Sequence, residues 1–264
     1  KWIATLNKEM DSLKQHKVIE VTTEAEARAT YQKAGVRIKR IPSKMVTTKK
    51  PLHDGRGGWD AKARICCCGN YEVGTYGHEA ENRAEVPSTF ELSSMLALCA
   101  KQQGWRIGAL DIKTAFLHAD LCVEDDGVIL VTPPAVLLRH GLVKPGEVWK
   151  LDKVLYGLRS GPKKWSDHRD KELKELKIVC GKHEARLVQS NTCGNIWLVK
   201  TTQGKIVGRV LIYVDDVLMT GSDEWLQAIM KGIQDLWECK VAAVLGAKGE
   251  EGYVQEENVK MVIN

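Results

Sequence analysis

The chain has 264 residues, 44% hydrophobic and 28% charged, with a formal net charge of +5. That composition excludes a disordered tail and a fibrous repeat, and leaves one large or two small globular domains with a sizeable core. No apolar run approaches the roughly 18 residues of a membrane span, and Lys1-Trp2-Ile3-Ala4 lacks the apolar stretch of a secretory signal.

The chain starts without Met, so a piece of a longer polypeptide is expected. Cys66, Cys67 and Cys68 are consecutive, and the other five cysteines are scattered among apolar residues. His53 and His78 are not at ligand spacing around the triplet, so reduced thiols in an intracellular protein are expected rather than a zinc site or a disulfide framework. Charge is unevenly placed: residues 31–70 hold ten Lys or Arg against two Asp. Such density suits a polyanion such as nucleic acid, with a solvated basic face as the plainer alternative.

In chain order, the N-terminal stretch reads as helical. Thr23 and Glu26 form a capping box, the next ten residues are helix formers, and Gly35 is a suitable stop. Ile38 to Lys50 and Ala61 to Cys68 read as two strands joined by the glycine-rich connection 51–60, which makes a basic hairpin. Residues 88–103 predict a buried helix with Leu92, Met95, Leu96 and Cys99 at helical spacing. Trp105 to Ile112 predicts a strand with Asp111 at its end. Pro133-Pro134 breaks the chain before a short strand at Val148 to Leu151. A basic amphipathic helix then spans Pro162 to Leu176, with Trp165, Leu173 and Leu176 on its apolar side. Ile196 to Val199 and Lys205 to Met219 complete an antiparallel set, and Glu224 to Trp237 predicts a last helix. The irregular alternation with hairpins favours an α+β fold over a doubly wound sheet.

Asp215 and Asp216 interrupt two apolar runs, Val210-Leu211-Ile212-Tyr213-Val214 and Val217-Leu218-Met219. Burying adjacent carboxylates costs several kcal/mol without a partner, and they repel each other. A hard divalent cation, Mg2+ first, removes both penalties. The competing reading is an exposed acidic hairpin tip. Asp111 is a third acid next to apolar residues, and a strand-end acid plus an acidic hairpin is what two-metal nucleotidyl transfer needs.

Leu110-Asp111-Ile112-Lys113-Thr114-Ala115-Phe116-Leu117-His118-Ala119-Asp120-Leu121 resembles the LDVKTAFLxGxL block of copia-like LTR-retrotransposon reverse transcriptases. Leu155-Tyr156-Gly157-Leu158-Arg159-Ser160-Gly161-Pro162-Lys163-Lys164-Trp165 resembles their LYGLKQAPRxW block. Tyr213-Val214-Asp215-Asp216 resembles their YxDD box, and Lys62-Ala63-Arg64 the KAR of their fingers hairpin.

The resemblance implies a right-hand polymerase: an N-terminal helical segment over 1–34, fingers over 35–105, and an antiparallel palm with packed helices over 106–246. A fingers-like insertion falls at about 122–175, and 247–264 leads to a truncated or absent thumb. It implies Asp111, Asp215 and Asp216 as catalytic ligands of two Mg2+ ions, with Mn2+ as a substitute. It implies Arg64, Ala115, Phe116, Tyr156 and Gly157 around the dNTP, with Phe116 as the gate against a 2′-hydroxyl. Arg56 is a weaker triphosphate candidate, and Tyr213, Lys163 and Lys164 are weaker nucleic-acid contacts.

Trp149, Trp165 and Trp197 read as packing residues, and Lys113 and His118 as incidental or structural. Expected partners are a primed RNA or DNA template, dNTPs, and the RNase H and integrase parts of a Pol polyprotein, in cytoplasmic virus-like particles and without a membrane. Departures are Cys66-Cys67-Cys68-Gly69 in place of LVAKG-like residues, Ser160-Gly161 in place of Gln-Ala, Glu91 near a family Arg, and a short segment after Trp237. They leave open a second reading, a non-catalytic nucleic-acid-binding remnant.

Overall fold

A computed structural model describes residues 1–52, 58–72 and 86–245. The helices are α1 (Trp2–Gln15), α2 (Glu24–Ala27), α3 (Thr89–Ala100), α4 (Val123–Asp126), α5 (Ala135–Arg139), α6 (Gly161–Glu175) and α7 (Asp223–Leu236). The strands are β1 (Ile19–Thr23), β2 (Ile38–Pro51), β3 (Trp59–Cys67), β4 (Trp105–Ile112), β5 (Val128–Thr132) and β6 (Glu147–Leu151). They continue as β7 (Lys177–Cys180), β8 (His183–Gln189), β9 (Ile196–Thr201), β10 (Ile206–Tyr213), β11 (Asp216–Ser222) and β12 (Cys239–Leu245). The fold is α+β, as the irregular alternation implies. Two compact units interleave in sequence, one from Lys1–Arg83 with Phe116–His168, the other from Ala84–Ala115 with Arg169–Asn264.

The first unit is built on a five-stranded sheet in the order β1-β6-β5-β2-β3. β2 and β5 run parallel, and the other pairs are antiparallel. Leu6, Met10 and Leu13 recur at helical spacing on α1, and all three are buried in a core with Ile41, Ile65, Trp149, Leu155 and Leu158. Each such side chain contributes about 1.5–3 kcal/mol on leaving water. The Thr23–Glu26 capping box is present, with Thr23 Oγ1 accepting the Glu26 N–H at 3.2 Å and Glu26 Oε2 accepting the Thr23 N–H at 2.9 Å. The helix it starts is shorter than expected. After Ala27 the chain widens into a π-helical turn, Arg28–Gln32, which ends before Gly35. The tip of the β2–β3 hairpin, with Arg56, lies outside the described residues.

The second unit is a seven-stranded, wholly antiparallel sheet in the order β12-β4-β11-β10-β9-β8-β7. α7 buries Leu226, Ile229, Met230 and Ile233, one continuous apolar stripe. α3 is less buried than its hydrophobicity predicts. Met95 and Cys99 are enclosed, whereas Phe90 is 79% and Leu98 42% exposed. Glu91 takes a structural part there, closing a capping box with Ser88. The segment 246–264 lies outside the described residues.

Candidate active site

The antiparallel register of the second unit gathers the acids. β10 and β11 are joined by Val214 and Asp215, between the paired residues Tyr213 and Asp216. Val214 has φ +56°. Positive φ at the first turn position alone is the arrangement of a II′ hairpin, where glycine is usual. A β-branched residue held there stores strain of order 1–3 kcal/mol, of the kind that concentrates at functional turns. The Asp215 carbonyl accepts the Ile112 N–H at 2.8 Å, which fastens the turn to β4.

In consequence Asp216 stands directly opposite Asp111 and shares a sheet face with it and with Tyr213. Partial burial, then the charges of Asp215 and Asp111, push the Asp216 carboxyl above the usual aspartate range. Among the described residues no group of three or more His, Cys, Asp or Glu is placed to hold a metal ion. The donor chemistry nevertheless fits a hard cation: Asp111, Asp215 and Asp216 offer carboxylate oxygens only, and a positive ion offsets both the burial and the repulsion that raise Asp216.

Two further features border the acids. Lys240 on β12 lies opposite Asp111 in the register. A groove of about 500 Å³ runs along the same face, floored by Ala109, Leu211 and Leu218 and reaching Tyr213 and Asp216. Neither was foreseen, because β12 follows a helix without a turn signal and its register with β4 is set by tertiary pairing. Tyr213 is 50% exposed at the groove's end. Lys113 pairs with Glu238, and its N–H donates to the Glu238 carbonyl at 2.9 Å. A structural part for Lys113 agrees with that.

The first unit brings together four of the five expected nucleotide-site residues. Arg64 projects from the exposed side of β3, its Cζ 5.1 Å from the centre of the Tyr156 ring, a cation–π contact. Phe116 meets the same ring edge to face, with centroids 6.0 Å apart at 73°. Phe116 is half-buried against the core, so its ring is supported from behind.

Gly157 follows Tyr156 at φ +86°, and a Cβ there would lie 2.2 Å from the Cys67 carbonyl oxygen. Only glycine fits. The Tyr156 carbonyl in turn accepts the Cys67 N–H at 2.6 Å, which bolts this turn to the strand that holds Arg64. The cysteine run is thus a docking strip whose backbone matters. Cys67 is buried, and burial pushes its thiol well up, so it stays protonated and inert. Glu72, buried at 1% exposure, accepts the Arg159 N–H at 3.0 Å and holds the far side of the loop. No spacing signal pointed to Glu72.

Ala115, the fifth, is assigned to the second unit; its side chain is buried and it opens a 3₁₀ turn, Ala115–His118. Lys163 pairs with Asp167 one helical turn on, and Lys164 with Asp126 at 2.7 Å. Trp149, Trp165 and Trp197 are fully enclosed, as packing residues should be.

The site thus pairs acids at a strained hairpin with an antiparallel sheet of an α+β fold. The model of the family described as reverse transcriptase (RNA-dependent DNA polymerase) matches residues 31–245, and the chain belongs to this family. The retrovirus-related Pol polyprotein from transposon RE1 of Arabidopsis thaliana is 32% identical over 127 residues, 48% of this chain and 8% of that protein. The Pol polyprotein from transposon TNT 1-94 of Nicotiana tabacum is 33% identical over 123 residues, 47% of this chain and 8% of that protein. The Pol polyprotein from transposon RE2 of Arabidopsis thaliana is 30% identical over 124 residues, 47% and 7% respectively. The chain thus spans under a tenth of these relatives by matched length. The resemblance to transposon reverse transcriptases read from the motifs is borne out.

Proposed function

We propose that the chain is the RNA-directed DNA polymerase domain of a copia-like Pol polyprotein, adding dNTPs to a primer 3′-hydroxyl on an RNA or DNA template. The observation that carries the reading is the register that sets Asp216, next to Asp215 at the hairpin, opposite Asp111 on β4 in a chain of this family. The seven-stranded antiparallel sheet supports the palm assignment. The five-stranded sheet supports the fingers, to which the insertion near 122–175 contributes β5 and β6. A remnant over 247–264 leading to a truncated or absent thumb belongs to the same proposal.

Asp111, Asp215 and Asp216 would hold two Mg2+ ions, or Mn2+ in their place. Bound there, the ions neutralise the triphosphate and lower the pKa of the primer hydroxyl. Arg64 binds triphosphate oxygens, with its guanidinium oriented by the Tyr156 ring. Phe116 rejects a 2′-hydroxyl, while Tyr156 and Gly157 pack against the nascent base pair. The Ala115 N–H donates to phosphate. Lys163 and Lys164 would add template contacts only on giving up their ion pairs. Relatives named as Pol polyproteins support other Pol domains as companions; RNase H and integrase among them, and a cytoplasmic particle as the setting, belong to the same proposal. Among the described residues no helix is long and apolar enough to cross a membrane.

The test is extension of oligo(dT) on poly(rA) with dTTP and Mg2+. Extension that a chelator abolishes is expected. A folded chain that binds the duplex and never extends it would favour the remnant reading.

A further inference from the structure

The far edge of the seven-stranded sheet has a feature that polymerase chemistry does not use. Lys177 on β7 stands opposite Arg186 on β8, and Arg186 opposite Lys200 on β9. Three cations widely separated in sequence form one cross-strand row. Strands lie about 4.8 Å apart, so the row is roughly 10 Å long. It lines a groove of about 460 Å³ whose remaining walls include Thr201, Thr202 and Val188. Glu184 is the one acid in that lining, and among the described residues none of the three cations has an ion-pair partner.

Like charges directly opposite on neighbouring strands destabilise a sheet. Protection of an exposed edge accounts for Lys177 on the outer strand, but not for Arg186 and Lys200 on inner ones. A bound polyanion offsets the repulsion.

We propose that this row is a second docking surface for the phosphate backbone of nucleic acid, apart from the acidic hairpin. The inference rests on the reading of the chain as a nucleic-acid polymerase, and it assigns that ligand a further grip. A row of roughly 10 Å runs beside about three phosphate steps of one strand at ~3.4 Å of axial rise each. The Thr202 hydroxyl in the same lining suits the same oxygens. No base-reading geometry is implied, so the contact is independent of sequence.

The test is binding of a labelled RNA–DNA hybrid duplex to the full chain by fluorescence anisotropy across a salt series. Three proteins are compared: wild type, Lys177→Gln/Arg186→Gln/Lys200→Gln, and the charge-keeping Lys177→Arg/Arg186→Lys/Lys200→Arg. Losing three phosphate contacts lowers the slope of log K against log salt by roughly 2.7. Between about 50 and 200 mM salt, wild-type affinity should then fall roughly 40-fold more than that of the Gln variant. The charge-keeping variant should retain the wild-type slope. Equal slopes for wild type and a Gln variant folded by circular dichroism would overturn the docking surface. If that wild type also extends primers, the polymerase reading survives. Absence of any duplex binding by wild type would overturn both. Competition by poly-glutamate as strong as by unlabelled duplex would reassign the row to an acidic protein.

Discussion

Gly157 and Phe116 are the single residues at which the proposed nucleotide side of the site can be tested. Gly157→Ala places a Cβ against the Cys67 carbonyl in a left-handed conformation. A loss of at least about 2 kcal/mol is expected, read as a lower urea midpoint. An unchanged midpoint would show that the turn relaxes. Phe116→Ala is expected to raise ribonucleotide incorporation with little effect on dNTP use, checked by single-nucleotide extension with matched rNTP and dNTP. Unchanged sugar selectivity would leave Phe116 a rim packing residue. At this scale the motifs named residues that the structure places in contact, Arg64 and Phe116 on the Tyr156 ring, while their supports went unseen. The Tyr156 ring joining Arg64 to Phe116, and Glu72 beneath Arg159, depend on chain segments far apart in sequence.

Among the elements, α1 and β3 meet at a charge that favours low pH. Glu9 on α1 accepts the Ile65 N–H at 2.9 Å. Burial nevertheless raises its carboxyl above 4.5, against the lowering influence of that bond, Arg64 and Lys62. A raised folded-state pKa means that the Glu9 contribution to stability is full below the unfolded value and is lost as pH rises through the folded one. Glu9→Gln keeps an acceptor for Ile65 without the ionisation cost. It is expected to raise the melting temperature near neutral pH, with the gain vanishing below the ordinary glutamate range. A gain that persists in acid would contradict the assignment.

Elements with strong local signals were legible: β2, β3, β4, α6, α7 and the acidic hairpin fall within a few residues of expectation. β5 is a short apolar run, Val128–Thr132, paired in parallel with a strand nearly ninety residues earlier, and no local pattern announces such a partner. β7 is only four residues long, and β8 is broken up by Glu184 and Arg186, which face outward. α3 reads as buried from composition alone, yet half its apolar residues lie on an exposed side.

At the scale of the molecule, the sequence order of the motifs and the division of the chain differ. Residues 84–115 and 169–264 make one unit and the rest the other, so Asp111 and Phe116, five residues apart, are assigned to different units. Chain-order reading cannot see this, because contact across a sheet rather than adjacency decides membership. If the three acids hold cations, millimolar Mg2+ should raise the melting temperature of the wild type by mass action. It should do little for Asp111→Asn/Asp216→Asn, which without the ion should melt higher than wild type because their repulsion is gone. Equal Mg2+ shifts in both proteins would place the ion elsewhere.

The most direct test measures extension and binding on one primed template for Asp111→Asn, Asp215→Asn and Asp216→Asn beside the wild type. The account predicts that Asp215→Asn extends no primer while its duplex affinity stays within a few-fold of wild type, and that the other two lose extension as well. Extension at the wild-type rate by Asp215→Asn, or equal loss of binding and extension in a folded variant, would contradict it.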